Sequence, residues 1–69
     1  MNFIVDIGNT AIKFSLFENK KMIKFKKTNN FCLNEILDFT KNNQIDKTIF
    51  SSVKKTQKDT HKFISLYNP

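Results

Sequence analysis

The 69-residue chain has a formal charge of +6 from 12 basic residues, all lysine, and 6 acidic ones, and its length allows one small domain near the lower limit for a self-supporting core. Its single cysteine, Cys32, excludes an intrachain disulfide framework. Because it has no basic leader with an apolar run behind it, and no stretch near ~20 apolar residues, we expect a soluble cytoplasmic protein without a membrane partner.

Three short strands are predicted in the first 27 residues. The apolar run of residues 3–7 is typical of a strand buried on both faces, although Asp6 interrupts it. Residues 12–18 alternate between apolar and polar side chains and therefore predict a strand with one buried face. Residues 21–27 also alternate but are rich in lysine, which is typical of an edge strand because charge discourages pairing with other chains.

Two helices and a fourth strand are predicted in the rest of the chain. Apolar residues recur at helical spacing within residues 32–43, residues 47–53 read as a strand, and residues 56–66 as a second helix. Thr56 followed by Asp59 is a weak capping box for that helix. Leu33, Ile36, Leu37 and Thr40 of the first helix fall at the spacing of a stripe that faces the core, with Phe39 beside them.

The order β-β-β-α-β-α predicts an α/β fold with a mixed sheet. The first three strands are joined by tight turns and are expected to form an antiparallel meander. The fourth strand follows a helix, so a right-handed crossover can place it parallel to the first strand.

The sequence Asp-Ile-Gly-Asn-Thr that ends the first predicted strand carries the clearest chemical signal. Gly8 lets the backbone approach a phosphate closely, and successive N–H groups of a turn can form an anion-binding concavity. Asn9 and Thr10 offer hydrogen bonds, and Asp6 can hold Mg²⁺ directly or through water. Lys13, on the next strand, is expected to point back toward the turn. The pattern predicts a site for nucleotide phosphates and their metal.

A purely structural role is the alternative to a functional one for this motif and for the other polar residues of the chain. The same five-residue string is typical of a hairpin turn, and that alternative stays open. His61 has no ligand set or triad arranged with it and is interpreted as a solvated helix residue. Cys32 is interpreted as a small buried or half-buried apolar residue, and Ser51 and Ser52 as polar strand-end residues rather than nucleophiles.

The element order and the motif that closes the first strand together resemble the opening of the actin-like ATPase fold, the superfamily of the acetate and sugar kinases. More narrowly, residues 4–14 resemble the start of type III pantothenate kinase. Residues 50–53, Phe-Ser-Ser-Val, resemble that family's fourth strand at a similar distance from the first motif. The resemblance covers essentially the whole chain but only the first part of the family's chain. It implies a partial ribonuclease H-like (actin-like ATPase) domain, with residues 1–69 as the incomplete N-terminal nucleotide-binding domain of a two-domain kinase.

The resemblance also implies a function and a site. The family's reaction is the ATP-dependent phosphorylation of pantothenate, the first step of coenzyme A synthesis. Asp6 would position the Mg²⁺ that bridges the phosphates, and Lys13 would lie near the phosphates as a point charge. The family further implies a monovalent cation, K⁺ or NH₄⁺, and a homodimer of the complete protein. The implied ATP-binding residues are Asp6, Ile7, Gly8, Asn9, Thr10, Ala11, Ile12 and Lys13.

The chain departs from this family in several places. Nothing in it matches the Gly-Ala-Asp-Arg type segment beyond the second helix that carries the family's pantothenate-binding and catalytic acid residues. The second phosphate motif and the second domain are also absent. Lys54 and Lys55 replace the expected Val-Pro, and Ala11 replaces a longer polar or basic residue. We therefore expect a truncated or fragmentary member that has no catalytic residue of its own and is inactive alone.

The alternative function follows from the lysines. Five of them lie between residues 20 and 27 with Phe25 among them, which suggests a small stand-alone lysine-rich module that binds nucleic acid. The lack of arginine and of a stacking aromatic platform weighs against nucleic acid as a partner. A charged hairpin face is the simpler interpretation.

Overall fold

The computed structural model describes residues 1–53 and 59–69, which form a four-stranded sheet and two helices. The elements in chain order are β1 (Asn2–Ile7), β2 (Ile12–Glu18), β3 (Lys21–Thr28), α1 (Leu33–Thr40), β4 (Lys47–Ser52) and α2 (Thr60–Tyr67). The predicted α/β class with a mixed sheet is confirmed. The strands lie close to their predicted positions, whereas α1 ends earlier than predicted and α2 is described from Thr60 onward.

The sheet has the order β3-β2-β1-β4. β1 pairs antiparallel with β2, and β2 pairs antiparallel with β3, so the first three strands form the predicted meander. β4 pairs parallel with β1, with Ile4 opposite Ile49. The β2–β3 hairpin turns at Asn19 and Lys20, whose φ angles of 52° and 68° are both positive, as a type I′ turn requires.

One face of the sheet carries the hydrophobic core. Its buried side chains are Phe3, Val5 and Ile7 from β1 with Phe14 and Leu16 from β2. The prediction that β1 is buried on both faces is wrong, because Asp6 is exposed and Ile4 is half-buried on the other face. The physical reason is that Phe39 of α1 and Phe63 of α2 both pack against Phe3, so the two helices cover the same side of the sheet.

Aromatic rings dominate this core, and Phe63 lies at their centre. Its ring centroid is 6.3 Å from that of Phe3, 5.7 Å from Phe31, 5.3 Å from Phe50 and 5.0 Å from Tyr67. Centroid separations in this range are those at which aromatic pairs attract beyond their buried area. Phe63 therefore joins α2 to β1, to β4 and to the segment that precedes α1.

The inward stripe of α1 differs from the predicted one. Ile36, Phe39 and Thr40 are buried, whereas Leu37 is 45% exposed and its predicted place in the core is wrong. The spacing of the three buried residues defines a stripe that Leu37 lies beside. The Thr40 hydroxyl is satisfied at the end of this stripe, since it donates to the Ile36 carbonyl at 3.0 Å and lies 2.8 Å from the Tyr67 hydroxyl.

The start of α1 is capped from a distant part of the chain. The cap residue Cys32 makes no side-chain cap hydrogen bond. Instead the Asp59 carboxylate accepts the N–H of Leu33 at 2.9 Å. Asp59 precedes α2 rather than lying within it, so its predicted part in a capping box for α2 is wrong. Thr56, the other half of that box, lies outside the described residues, as do the other members of residues 54–58.

β3 is an edge strand, as predicted, and its residues are exposed from Lys21 through Lys27. Lys24 is held in place, since its ammonium donates to the Phe39 carbonyl at 2.9 Å and lies 4.7 Å from the centroid of the Phe39 ring. The β2–β3 register shifts between Leu16 and Phe17. A simple alternation along β3 therefore does not show which lysines share a face.

The Cα radius of gyration is 11.2 Å, close to the roughly 11 Å expected for a compact chain of this length. Within residues 1–53 and 59–69, neither helix is long and apolar enough to cross a membrane.

Candidate functional site

The β1–β2 connection is a short turn, residues 8–11, between the paired residues Ile7 and Ile12. The Gly8 N–H donates to the Ala11 carbonyl at 2.9 Å and closes the turn. A Cβ on residue 8 would lie 3.3 Å from that carbonyl oxygen, which is a tight contact. Gly8 does not have a positive φ, so close packing of the turn is what favours glycine there. This geometry fits the hairpin interpretation and the phosphate interpretation equally.

Polar groups around this turn are free for a ligand. Asp6, Asn9, Thr10 and Lys13 are all exposed. Within the described part of the chain, the N–H groups and side chains of Asn9 and Thr10 have no hydrogen-bond partner. Unpaired N–H donors in a turn are the groups from which protein sites for anions are built.

Three of the eight predicted ATP-binding residues have buried side chains. Ile7 is 1% exposed, Ala11 9% and Ile12 5%. Their side chains therefore anchor the turn to the core, and only their backbone could face a ligand. The other five predicted residues, Asp6, Gly8, Asn9, Thr10 and Lys13, remain candidates for direct contact.

A polar row crosses the sheet one residue before the turn. Asp6 of β1 lies directly opposite Lys13 of β2 and opposite Ser51 of β4. Lys13 in turn lies opposite Lys27 of β3. Residues directly opposite each other point to the same face, and this face is the one away from the helices. The prediction from sequence missed Lys27 and the position of Ser51, and only the strand register reveals them.

Asp6 is available to a metal ion. Among the residues that the structure describes, its carboxylate makes no ion pair, although Lys13 is its cross-strand neighbour. No group of three acidic, histidine or cysteine side chains that could hold a metal occurs in residues 1–53 and 59–69. Mg²⁺ is commonly held by one or two carboxylates together with substrate phosphates and water. Asp6 fits a site in which Mg²⁺ is held jointly by one carboxylate, substrate phosphates and water, and it does not fit a site built from protein ligands alone.

The site lies at the edge of the sheet where the parallel strands β1 and β4 end. The Val53 N–H donates to the Ile7 carbonyl at 3.0 Å, which continues the β1–β4 pairing beyond Ser52. Ligands of open α/β sheets bind outside the carboxyl ends of the strands. The turn after β1 occupies this position. The exposed side chains make it an open wall rather than an enclosed cavity.

The other polar residues considered from sequence lie away from this edge or in ordinary environments. His61 is exposed on α2, as interpreted from the sequence. Cys32 is a half-buried free thiol, which also agrees with its interpretation. Neither lies among the residues of the polar row.

No family model, no curated protein and no solved structure matches this chain. The resemblance to type III pantothenate kinase therefore stays a prediction from the two sequence motifs at residues 4–14 and residues 50–53.

Proposed function

We propose that this chain forms part of an ATP-dependent kinase of the actin-like ATPase superfamily and contributes its first phosphate-binding loop. The observation that carries the proposal is that, within residues 1–53 and 59–69, the exposed carboxylate of Asp6 makes no ion pair and the donors of Asn9 and Thr10 in the adjacent turn make no hydrogen bond. Phosphoryl transfer needs positioning and charge neutralisation more than covalent chemistry from the protein. The site supplies groups for positioning and for charge neutralisation. These groups are the Asp6 carboxylate for Mg²⁺, the N–H donors of the turn, and the Lys13 ammonium.

The sheet topology supports the fold side of this proposal. An antiparallel meander with a parallel fourth strand beside β1 is the arrangement that a ribonuclease H-like domain begins with, and the order β3-β2-β1-β4 agrees with it. In this arrangement the motif at residues 6–13 and the Ser-Ser-Val segment at the end of β4 lie at the same end of the sheet, where β1 and β4 terminate. Two motifs that are distant in sequence thus contribute to the same place.

Pantothenate as the phosphoryl acceptor is the narrower part of the proposal, and it depends on the resemblance. The same holds for the monovalent cation and for the homodimer. The 69 residues include no segment of the Gly-Ala-Asp-Arg type. We therefore propose that the chain binds nucleotide through the wall formed by β1 and its turn, and that it does not phosphorylate pantothenate unaided.

The nucleic-acid alternative is disfavoured by the placement of the lysines. Lys24 and Lys26 lie opposite Leu16 and Phe14 and so point to the helix-covered side, as does Lys21 opposite Glu18. Lys27 points to the other side, so the lysines of β3 do not share one surface. Lys24 is also engaged by α1. A phosphate-tracking groove needs its cations on one surface. Failure of the chain to bind a fluorescent single-stranded oligonucleotide at low salt would remove this alternative.

Calorimetric titration with Mg-ATP tests the proposal. The wild-type chain is compared with Asp6→Asn and with the control Asp38→Asn, which removes the same charge from an exposed position on α1. Asp6→Asn is expected to weaken Mg-ATP binding by roughly tenfold or more, the effect of one lost charge-assisted contact. Asp38→Asn should bind as the wild type does.

Removing the metal should reverse the effect of Asp6→Asn on the affinity for ATP. In EDTA the Asp6 carboxylate faces the phosphates without an intervening cation and repels them. Asp6→Asn should then bind ATP at least as tightly as the wild type. Equal Mg-ATP affinity in all three proteins, or no binding by the wild type, would refute the proposal.

A further inference from the structure

Two lysines face each other across β2 and β3 without a compensating acid between them. Lys13 and Lys27 are directly opposite, and both are exposed. Like charges at directly opposed positions destabilise a sheet. In the described residues neither lysine makes an ion pair, and the only acid of the row, Asp6, lies beyond Lys13 on the far side from Lys27.

The other lysines of β3 do not share this position. Lys24 is bound to the Phe39 carbonyl, and Lys26 lies opposite Phe14 on the helix-covered side. Lys21 lies opposite Glu18, on that same side. Lys27 is therefore the β3 lysine that shares the face of Asp6 and Lys13. It is also close to the turn, since the next residue, Thr28, pairs with Ile12 at the turn's end. One residue of a strand corresponds to only ~3.4 Å along the sheet.

We propose that Lys27 is a second phosphate-binding lysine, which acts with Lys13 to select a linked polyphosphate over a single phosphate. The inference rests on the proposed function, and it adds a residue and a ligand preference to it. Neighbouring strands are about 4.8 Å apart, so a chain of linked phosphates can contact both lysines and still reach the turn. A single phosphate, with a charge of about −2 at most, can be neutralised by Lys13 and Mg²⁺ without Lys27.

This assignment also gives the unfavourable lysine pair a physical reason. A bound polyanion neutralises both ammonium groups, so the repulsion present in the free protein is relieved on binding. The free protein should therefore gain or keep stability when Lys27 is made neutral, whereas a lysine with a structural role would lose it. Stability and affinity are thus predicted to move in opposite directions in one variant.

The experiment compares wild type, Lys27→Gln and Lys26→Gln by calorimetry with inorganic tripolyphosphate, Mg-ATP and AMP at one fixed ionic strength. Lys26→Gln is the matched control, because it removes the same charge from the next residue on the opposite face. Lys27→Gln should weaken the binding of tripolyphosphate and of Mg-ATP roughly tenfold, and the binding of AMP by less than about twofold. Lys26→Gln should change the affinity for each of the three ligands by less than about twofold. The thermal midpoint of Lys27→Gln should equal or exceed that of the wild type.

The outcomes separate this inference from the proposed function. If Lys27→Gln and Lys26→Gln weaken binding equally, or neither does, the role of Lys27 is overturned, while a loss in Asp6→Asn would still support the phosphate loop. If tripolyphosphate binds through Lys27 but Mg-ATP does not bind, the lysine pair is supported and the kinase proposal fails. If the wild type binds neither ligand, both fail.

Discussion

Truncation of Phe63 should remove a large share of the stability of this fold. The ring is fully buried, and it contacts β1 through Phe3 and β4 through Phe50, with centroid distances of 6.3 and 5.3 Å. Replacing a buried Phe by Ala typically costs about 3–5 kcal/mol, because transfer free energy is lost and a cavity remains. A chain of this length has a total stability of roughly 3–10 kcal/mol at ~0.05–0.15 kcal/mol per residue. Phe63→Ala should therefore lose between about a third and all of the free energy of unfolding, and its urea midpoint should fall well below that of the wild type.

Urea unfolding followed by far-UV circular dichroism measures this effect. The matched control is Leu66→Ala, since Leu66 lies on the same helix and is 62% exposed. The control should change the free energy of unfolding by less than about 0.5 kcal/mol, as surface substitutions usually do. If Phe63→Ala and Leu66→Ala shift the midpoint equally, α2 does not dock on the sheet as described. The end of the sheet at which β1 and β4 terminate would then not be supported by α2.

Three further predictions concern two hydrogen bonds and the turn after β1. Asp59→Ala removes the acceptor for the Leu33 N–H, and the free energy of unfolding should fall by about 1 kcal/mol, as on loss of a helix cap. Thr40→Val removes the hydroxyl that hydrogen-bonds with the Tyr67 hydroxyl, and the free energy of unfolding should fall by about 1 kcal/mol in the same urea assay. Gly8→Ala should fold, since the nearby carbonyl must move only slightly, but should bind Mg-ATP more weakly in calorimetry because a Cβ keeps phosphate from the turn backbone.

The two stability predictions have matched control variants. Asp38→Ala removes an exposed acid within α1 and should leave stability nearly unchanged, so an equal loss in both variants would contradict the remote cap. Tyr67→Phe removes the other half of the Thr40 contact, and the double variant should lose less than the sum of the two. Unchanged Mg-ATP affinity in Gly8→Ala would mean that the turn backbone does not approach the phosphate.

Much of the fold is readable from the sequence because its signals are local. The alternation of β2 and the turn residues at its two ends specify a meander without reference to distant residues. The burial of β1 on one face was not readable, because it depends on both helices packing on the same side. The cap of α1 by Asp59 was likewise hidden, since it joins residues that are far apart in the chain.

The candidate site was only partly predictable for the same reason. Asp6, Asn9, Thr10 and Lys13 follow from one continuous motif, and the structure finds all four exposed. Lys27 was interpreted only as one of five lysines on a charged hairpin. Its position opposite Lys13 depends on the β2–β3 register, which shifts between Leu16 and Phe17.

The most direct test of the central claim is an NMR titration of the ¹⁵N-labelled chain with Mg-ATP. We predict that backbone amide shifts change at residues 6–13 and at Lys27 and Val53, whereas α2 stays unaffected. The same titration of Asp6→Asn should show these changes only at much higher ligand concentration. An absence of shifts in the wild type, or shifts confined to α2 and the helix-covered side of β3, would contradict a phosphate site at the turn after β1.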